Sequence, residues 1–159
     1  SERSRGLGDV YKRQLFGGEL LARMDRAASI AAQKHSEKVV VTASVNHVAF
    51  NHTIPLGSIV TIEAKVSRAF NTSMEVYLDV WYTDNNFNTP LKANEAIFTF
   101  VAVDQNRNPI QVPKLIPETE EEIKRFDGAL RRRQLSLVLA GKMKANQATE
   151  LKALFVNKL

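Results

Sequence analysis

Residues 38–104 carry four stretches that read as strands, and they constrain the fold more than any other part of the chain. "SIVTIEAKVSRAF" (58–70) sets Val60, Ile62, Ala64 and Val66 on one face. "TSMEVYLDVWYTD" (72–84) does the same with Met74, Val76, Leu78 and Val80. Such period-two alternation marks a strand with one buried face. "KVVVTASVNHVAF" (38–50) is β-branched and apolar through its first half, and "LKANEAIFTFVAVD" (91–104) is apolar on both faces in its second half, as an interior strand is. The connections "IPLGS", "FNTS", "DNNFNTP" and "DQNRNP" carry turn chemistry, and the last two are short enough to predict antiparallel neighbours.

One helix precedes these strands. From about Gly17 to Lys34, Leu20, Leu21, Met24, Ala27, Ala28 and Ala31 form a single stripe at helical spacing, in a segment rich in good helix formers. A long helix followed by four long strands predicts an α+β layout, with the helix packed across one curved sheet to bury both apolar faces. Beyond Pro117 the chain turns helical again. Thr119 with Glu122 three residues later reads as a capping box, and Ile123, Phe126, Leu130 and Leu137 read as the buried stripe. Gly141 is expected to separate this helix from a shorter one at 146–156.

Composition narrows the chemistry. The chain has 159 residues and no cysteine, which excludes disulfides, thiolate metal sites and a cysteine nucleophile. The net charge of +5 belongs to the ends: residues 15–117 hold equal numbers of acidic and basic groups, so the presumed core has no nucleic-acid footprint. The longest uncharged run, 39–62, contains Asn46, His47, Asn51, His52 and Pro55 and does not read as a membrane span, and a cytoplasmic location is expected. His35, His47 and His52 do not share metal-ligand spacing, so no metal is expected. There is no P-loop and no G-x-S-x-G, and "FGG" lacks the third glycine of a dinucleotide fingerprint.

The segment "LFGGELLARMD" (15–25) carries the candidate chemistry. Asp25 falls on the border of the helix's apolar stripe, beside Leu21, while Glu19, Arg23, Arg26 and Lys34 lie on the far side. Gly17 and Gly18 open the helix, where free backbone N–H groups carry partial positive charge and can stabilise an oxyanion. Asp25 lies seven residues beyond Gly18, about 10.5 Å along the axis, too far to act on the same carbonyl. A two-fold dimer would bring Asp25 of one chain to the Gly17-Gly18 entry of the other.

With "VVTASVNHVAFNHTIPLGS", "RAFNTSMEVYLDVW" and "ANEAIFTFVAVD", this segment resembles the hotdog-fold acyl-CoA thioesterases, in the branch of bacterial and brain-type acyl-CoA hydrolases. The resemblance runs from Leu15 to about Pro113. It implies a curved antiparallel sheet wrapped around one long helix, pairing as double-hotdog dimers and often as hexamers. It implies hydrolysis of acyl-CoA to fatty acid and coenzyme A, which is part of the substrate, with no separate cofactor. Asp25 maps onto the family's general base or nucleophile, and Gly17 and Gly18 onto the glycines that polarise the thioester carbonyl. Thr72, Ser73 and Met74 map near the coenzyme A site, Arg68 is a candidate phosphate contact, and Thr42 and Asn46 are expected to line the cleft. The family often has Asp where Asn46 stands and Pro where Thr53 stands. Its lead-in asparagine falls on Val10 and its lead-in glycine on Arg13. The first fourteen residues, "SERSRGLGDVYKRQ", resemble a translated adaptor fragment and are expected to be non-native. The expected organisation is therefore 1–14 non-native, 15–116 hotdog domain and 117–159 helical extension, with Arg131, Arg132 and Arg133 on a solvated helix face. The alternative function is a non-catalytic acyl-CoA-binding or sensor protein on the same fold, for which Asp25 would be unnecessary.

Overall fold

The computed structural model describes residues 17–84, 86 and 89–156. The segment 1–14, with Val10 and Arg13, lies outside them, as do three residues of the "DNNFNTP" connection. Helix α1 (Gly17–Ser36) is followed by strands β1 (Val39–Phe50), β2 (Ile59–Ala69), β3 (Ser73–Thr83) and β4 (Leu91–Val103). After them come helix α2 (Glu120–Leu139), a 3-10 turn (Ala145–Gln147) and helix α3 (Thr149–Val156). The chain divides into two compact units after Pro113.

In the first unit the four strands form one antiparallel sheet in the order β1-β4-β3-β2, and β4, apolar on both faces in its second half, is interior as its sequence demands. Helix α1 packs on one face and contacts all four strands. It buries Leu20, Met24, Ala28, Ala32 and Ser36, a run of i, i+4 neighbours that fall on one side of a helix. The small Ala28 and Ala32 let the helix approach the sheet closely. Opposite them lie Met74, Val76, Leu78 and Val80 of β3 and Ala96, Phe98, Phe100 and Ala102 of β4, all excluded from solvent. Each fully buried Val, Leu, Phe or Met contributes about 1.5–3 kcal/mol, so this double row is the main source of stability. The helix ends where Ser36 Oγ bonds back to the Ala32 carbonyl and Glu37 enters the left-handed region at φ 55°.

The sheet face turned away from α1 carries a polar cluster. Lys92 bonds Asp79 at 2.8 Å and also bonds Glu95, which accepts from the Tyr77 hydroxyl at 3.0 Å. Partial burial works to lower the Lys92 pKa, but the bonds to Asp79 and Glu95 outweigh it and hold the ammonium above 10.5. The Lys92 bond holds the Glu95 carboxyl below its ordinary 4.5, against the effect of burial. On the same face Ser67 bonds the buried Glu75 carboxylate at 2.6 Å.

In the second unit the capping box of α2 is present, with Glu122 N donating to Thr119 Oγ1 at 3.1 Å and Thr119 N to Glu122 Oε2 at 3.2 Å. The buried positions differ from the predicted stripe. Gly128, Ala129 and Gln134 are buried, Ile123 is exposed, and Phe126, Leu130 and Leu137 are only half-buried. Gln134 is buried because its Oε1 accepts from Glu150 N and Leu151 N, both at 3.0 Å, capping the otherwise orphaned N–H groups of α3. Gly128 leaves room for Arg132, whose guanidinium bonds the Arg125 carbonyl; a Cβ there would stand 2.7 Å from Arg132 Nη1. Arg131, Arg132 and Arg133 are all half-buried, not the solvated face their run suggested. No described helix is long and apolar enough to cross a membrane.

Candidate active site

Helix α1 and strand β1 run antiparallel, and two of the contacts between them mark the candidate site. At one end Gly17 packs over Phe50, whose ring carbons would lie 3.7 Å from a Cβ placed on the glycine. At the other, Thr42 Oγ1 donates to Asp25 Oδ1 at 3.0 Å. Thr42 is turned toward α1 because its register partner is Phe100, a residue of the buried face. Asp25 follows the fully buried Met24 and is itself half-exposed, so its carboxylate sits where the packed stripe meets solvent. Strand β1 is an edge of the described sheet, and the Asp25–Thr42 pair stands at that edge.

The glycine entry is not demanded by the backbone. Gly17 does not adopt a positive φ, and among the described residues a methyl group there would meet Phe50 only in ordinary van der Waals contact. Glycine at the start of a helix that needs neither the conformation nor the space for its own packing leaves room for something else to approach the N–H groups. Gly18 is exposed. Both glycines and Asp25 belong to one continuous helix, so the separation inferred from spacing holds within one chain.

The remaining predicted residues do not converge on Asp25. A bulge between Thr42 and Ser44 shifts the register of β1, so Asn46 pairs with Ile97 and falls on the sheet face away from α1. Four residues apart on a regular strand, Thr42 and Asn46 would share a face; the extra residue separates them. Arg68 follows another bulge, pairs with Glu75 on that same outer face, and stacks over Phe70 at 5.8 Å. Thr72 and Ser73 lie at the β2–β3 turn, where their carbonyls accept from Ala102 N and Phe70 N, and Ser73 is buried. Sequence reasoning missed Asn94, wholly buried on the α1 side of β4. Its signal was a polar residue in the inward series 94, 96, 98, 100 and 102, whose other members are Ala or Phe.

A four-stranded antiparallel sheet with one long helix across it defines a hotdog-fold protein, and a helix carboxylate is held at the sheet edge. The sequence matches the Thioesterase superfamily over residues 14–86. It is 38% identical over 118 residues to an uncharacterized acyl-CoA thioester hydrolase, YkhA, of Bacillus subtilis, a match covering 74% of this chain and 69% of that protein. An apo-hexameric acyl-CoA thioesterase superposes with TM-score 0.80 at 33% identity, over 87% of this chain and 89% of the other. An acyl-CoA hydrolase of Staphylococcus aureus, solved in complex with butyryl coenzyme A and coenzyme A, superposes with TM-score 0.75 at 35% identity, over 90% and 86%. That hydrolase has also been solved as alanine variants of an aspartate and a threonine separated by 17 residues, the separation of Asp25 and Thr42. A third variant replaces an asparagine 15 residues before that aspartate. The chain belongs to the Thioesterase superfamily and has its hotdog fold.

Proposed function

We propose that this protein hydrolyses acyl-CoA to a free fatty acid and coenzyme A, at a site that two copies of the chain build together. The observation that carries the reading is the Asp25 carboxylate held by Thr42 at the open edge of the sheet. The hydroxyl of Thr42 orients one carboxylate oxygen, and the other takes a proton from water. The water oxygen attacks the thioester carbon, and the developing oxyanion is stabilised by N–H groups at the Gly17-Gly18 entry of the second copy. The C–S bond then breaks, and the coenzyme A sulfur leaves with the proton from Asp25. Two copies are required because one helix holds the glycines and the carboxylate about 10.5 Å apart.

The edge supports such pairing. Val39, Val41 and Val45 of β1 are exposed large apolar residues on an edge strand, which a second copy would cover. Double-hotdog dimers, and hexamers built from them, are the assemblies we assign. Arg68, Thr72 and Ser73 belong to the coenzyme A part of the site, with Arg68 taking phosphate and Thr72 and Ser73 shaping the turn beside it. Asn46 would enter through the neighbouring copy, since its own face is turned from Asp25. No cofactor takes part beyond the coenzyme A of the substrate, and a cytoplasmic location suits such a substrate.

The test is thiol release from acetyl-, butyryl-, octanoyl- and palmitoyl-CoA, read with a thiol-reactive dye; the chain has no cysteine, so the signal is coenzyme A alone. Turnover that disappears in Asp25→Asn is the expected result. Val10→Asn with Arg13→Gly, which restores the lead-in, is expected to raise turnover. Equal turnover with and without the Asp25 carboxylate would refute the assigned role of Asp25, and no turnover in any variant, with acyl-CoA still bound, would refute the reading in favour of a binding protein.

A further inference from the structure

Asn94 is 2% exposed and belongs to none of the roles above. It lies on the α1 side of β4, in register with Phe50 of β1. With its amide oxygen and nitrogen exchanged, the orientation that gives both atoms suitable partners, Nδ2 donates to the carbonyl of Ala93 at 3.1 Å and to that of Ala49. A buried amide of this kind is costly unless bonded, and once bonded it fixes what it bonds. Here that is the backbone just past the second bulge of β1, between Asn46 and Ala49, where His47 takes φ 53°. The residue immediately after Ala49 is Phe50. Its ring lies in contact range of Gly17 yet is 54% exposed, an apolar surface open beside the helix entry.

We infer that Phe50 is the wall met by the acyl chain as it leaves the Gly17-Gly18 entry, and that Asn94 is the positioning residue that sets this wall. The inference rests on the function proposed above. A thioester carbonyl held by N–H groups at the start of α1 has its first methylenes close to the Phe50 ring, because the ring packs directly under Gly17. The ring therefore limits chain length, and its place is set through Ala49 by an amide that never touches substrate. An exposed aromatic on an edge strand would otherwise have rotamer freedom and form a poor boundary.

Dissociation constants for coenzyme A, butyryl-CoA and octanoyl-CoA, measured on the full chain in the Asp25→Asn background, test this without turnover. Phe50→Ala is expected to shift the preference toward octanoyl-CoA by about tenfold, the scale on which a pocket wall discriminates methylenes. Coenzyme A affinity should stay the same. Asn94→Leu and Asn94→Asp, which keep the size and lose the donor, are expected to shift the ratio in the same direction. A merely structural Asn94 would lower the melting temperature and leave the ratio of the folded protein unmoved. An unmoved ratio in Phe50→Ala overturns the inference alone, whether or not the Asn94 variants fold. Failure of any acyl-CoA to bind overturns the proposed function and the inference together.

Discussion

Replacing Thr42 with valine isolates the contact on which the mechanism depends. Valine matches the shape of threonine and suits a strand, so the change deletes one donor and little else. The lost bond is the 3.0 Å contact from Thr42 Oγ1 to Asp25 Oδ1. A hydrogen bond to a charged group is worth about 1.5–3 kcal/mol, and each 1.36 kcal/mol in a barrier is tenfold in rate. If the bond orients the carboxylate for proton abstraction, kcat falls roughly 10- to 150-fold. Stability should barely move, because Thr42 is exposed and water replaces the hydroxyl as a partner for Asp25. The assay is thiol release from butyryl-CoA, with the melting temperature measured in parallel and Thr42→Ser as the rescue. Wild-type kcat in Thr42→Val would refute the reasoning, and so would a loss that Thr42→Ser does not restore.

Four further outcomes follow from particular contacts. Gly17→Ala should leave the melting temperature unchanged or raise it, since alanine is the better helix former by about 1 kcal/mol and the methyl has room, while turnover falls because the methyl crowds the thioester carbonyl. Glu95 is held below 4.5, so its contribution to stability is present above that pH and lost as pH falls through the lowered value; Glu95→Gln should flatten the acid limb of a melting-temperature profile. Lys92 is held above 10.5, so its contribution persists through neutral pH and is lost only as pH rises through the raised value, and Lys92→Met should flatten the alkaline limb. Gln134→Ala should uncap α3 at a cost of about 1 kcal/mol, visible as faster amide exchange at Glu150 and Leu151 with thioester turnover unaffected.

What the sequence made readable were the features with a local period. Val60 to Val66 and Met74 to Val80 alternate, and both strands formed in that register; Thr119 and Glu122 are three apart, and the capping box formed. The border position of Asp25 was visible on a helical projection alone. What could not be read was whatever depends on one extra residue or on a distant partner. The bulge between Thr42 and Ser44 leaves no mark in composition, yet it sends Asn46 to the face opposite Thr42. The Asp25–Thr42 bond spans 17 residues and exists only because α1 lies antiparallel against β1. Gln134 looks like a surface residue until α3 folds back and presents its N–H groups. The half-burial of Arg132 has a similar origin, since Gly128 opens a place for its guanidinium group.

The claim that two chains share each site can be tested by mixing two inactive proteins. One carries Asp25→Asn and keeps its glycine entry; the other carries Gly17→Val and keeps Asp25. In a mixed dimer one of the two sites then combines an intact carboxylate with an intact entry. After subunit exchange at equal concentrations, about half the dimers are mixed, so about a quarter of wild-type activity should return. Mixed dimers that form, as shown by differential tagging, and yet release no thiol would contradict the account.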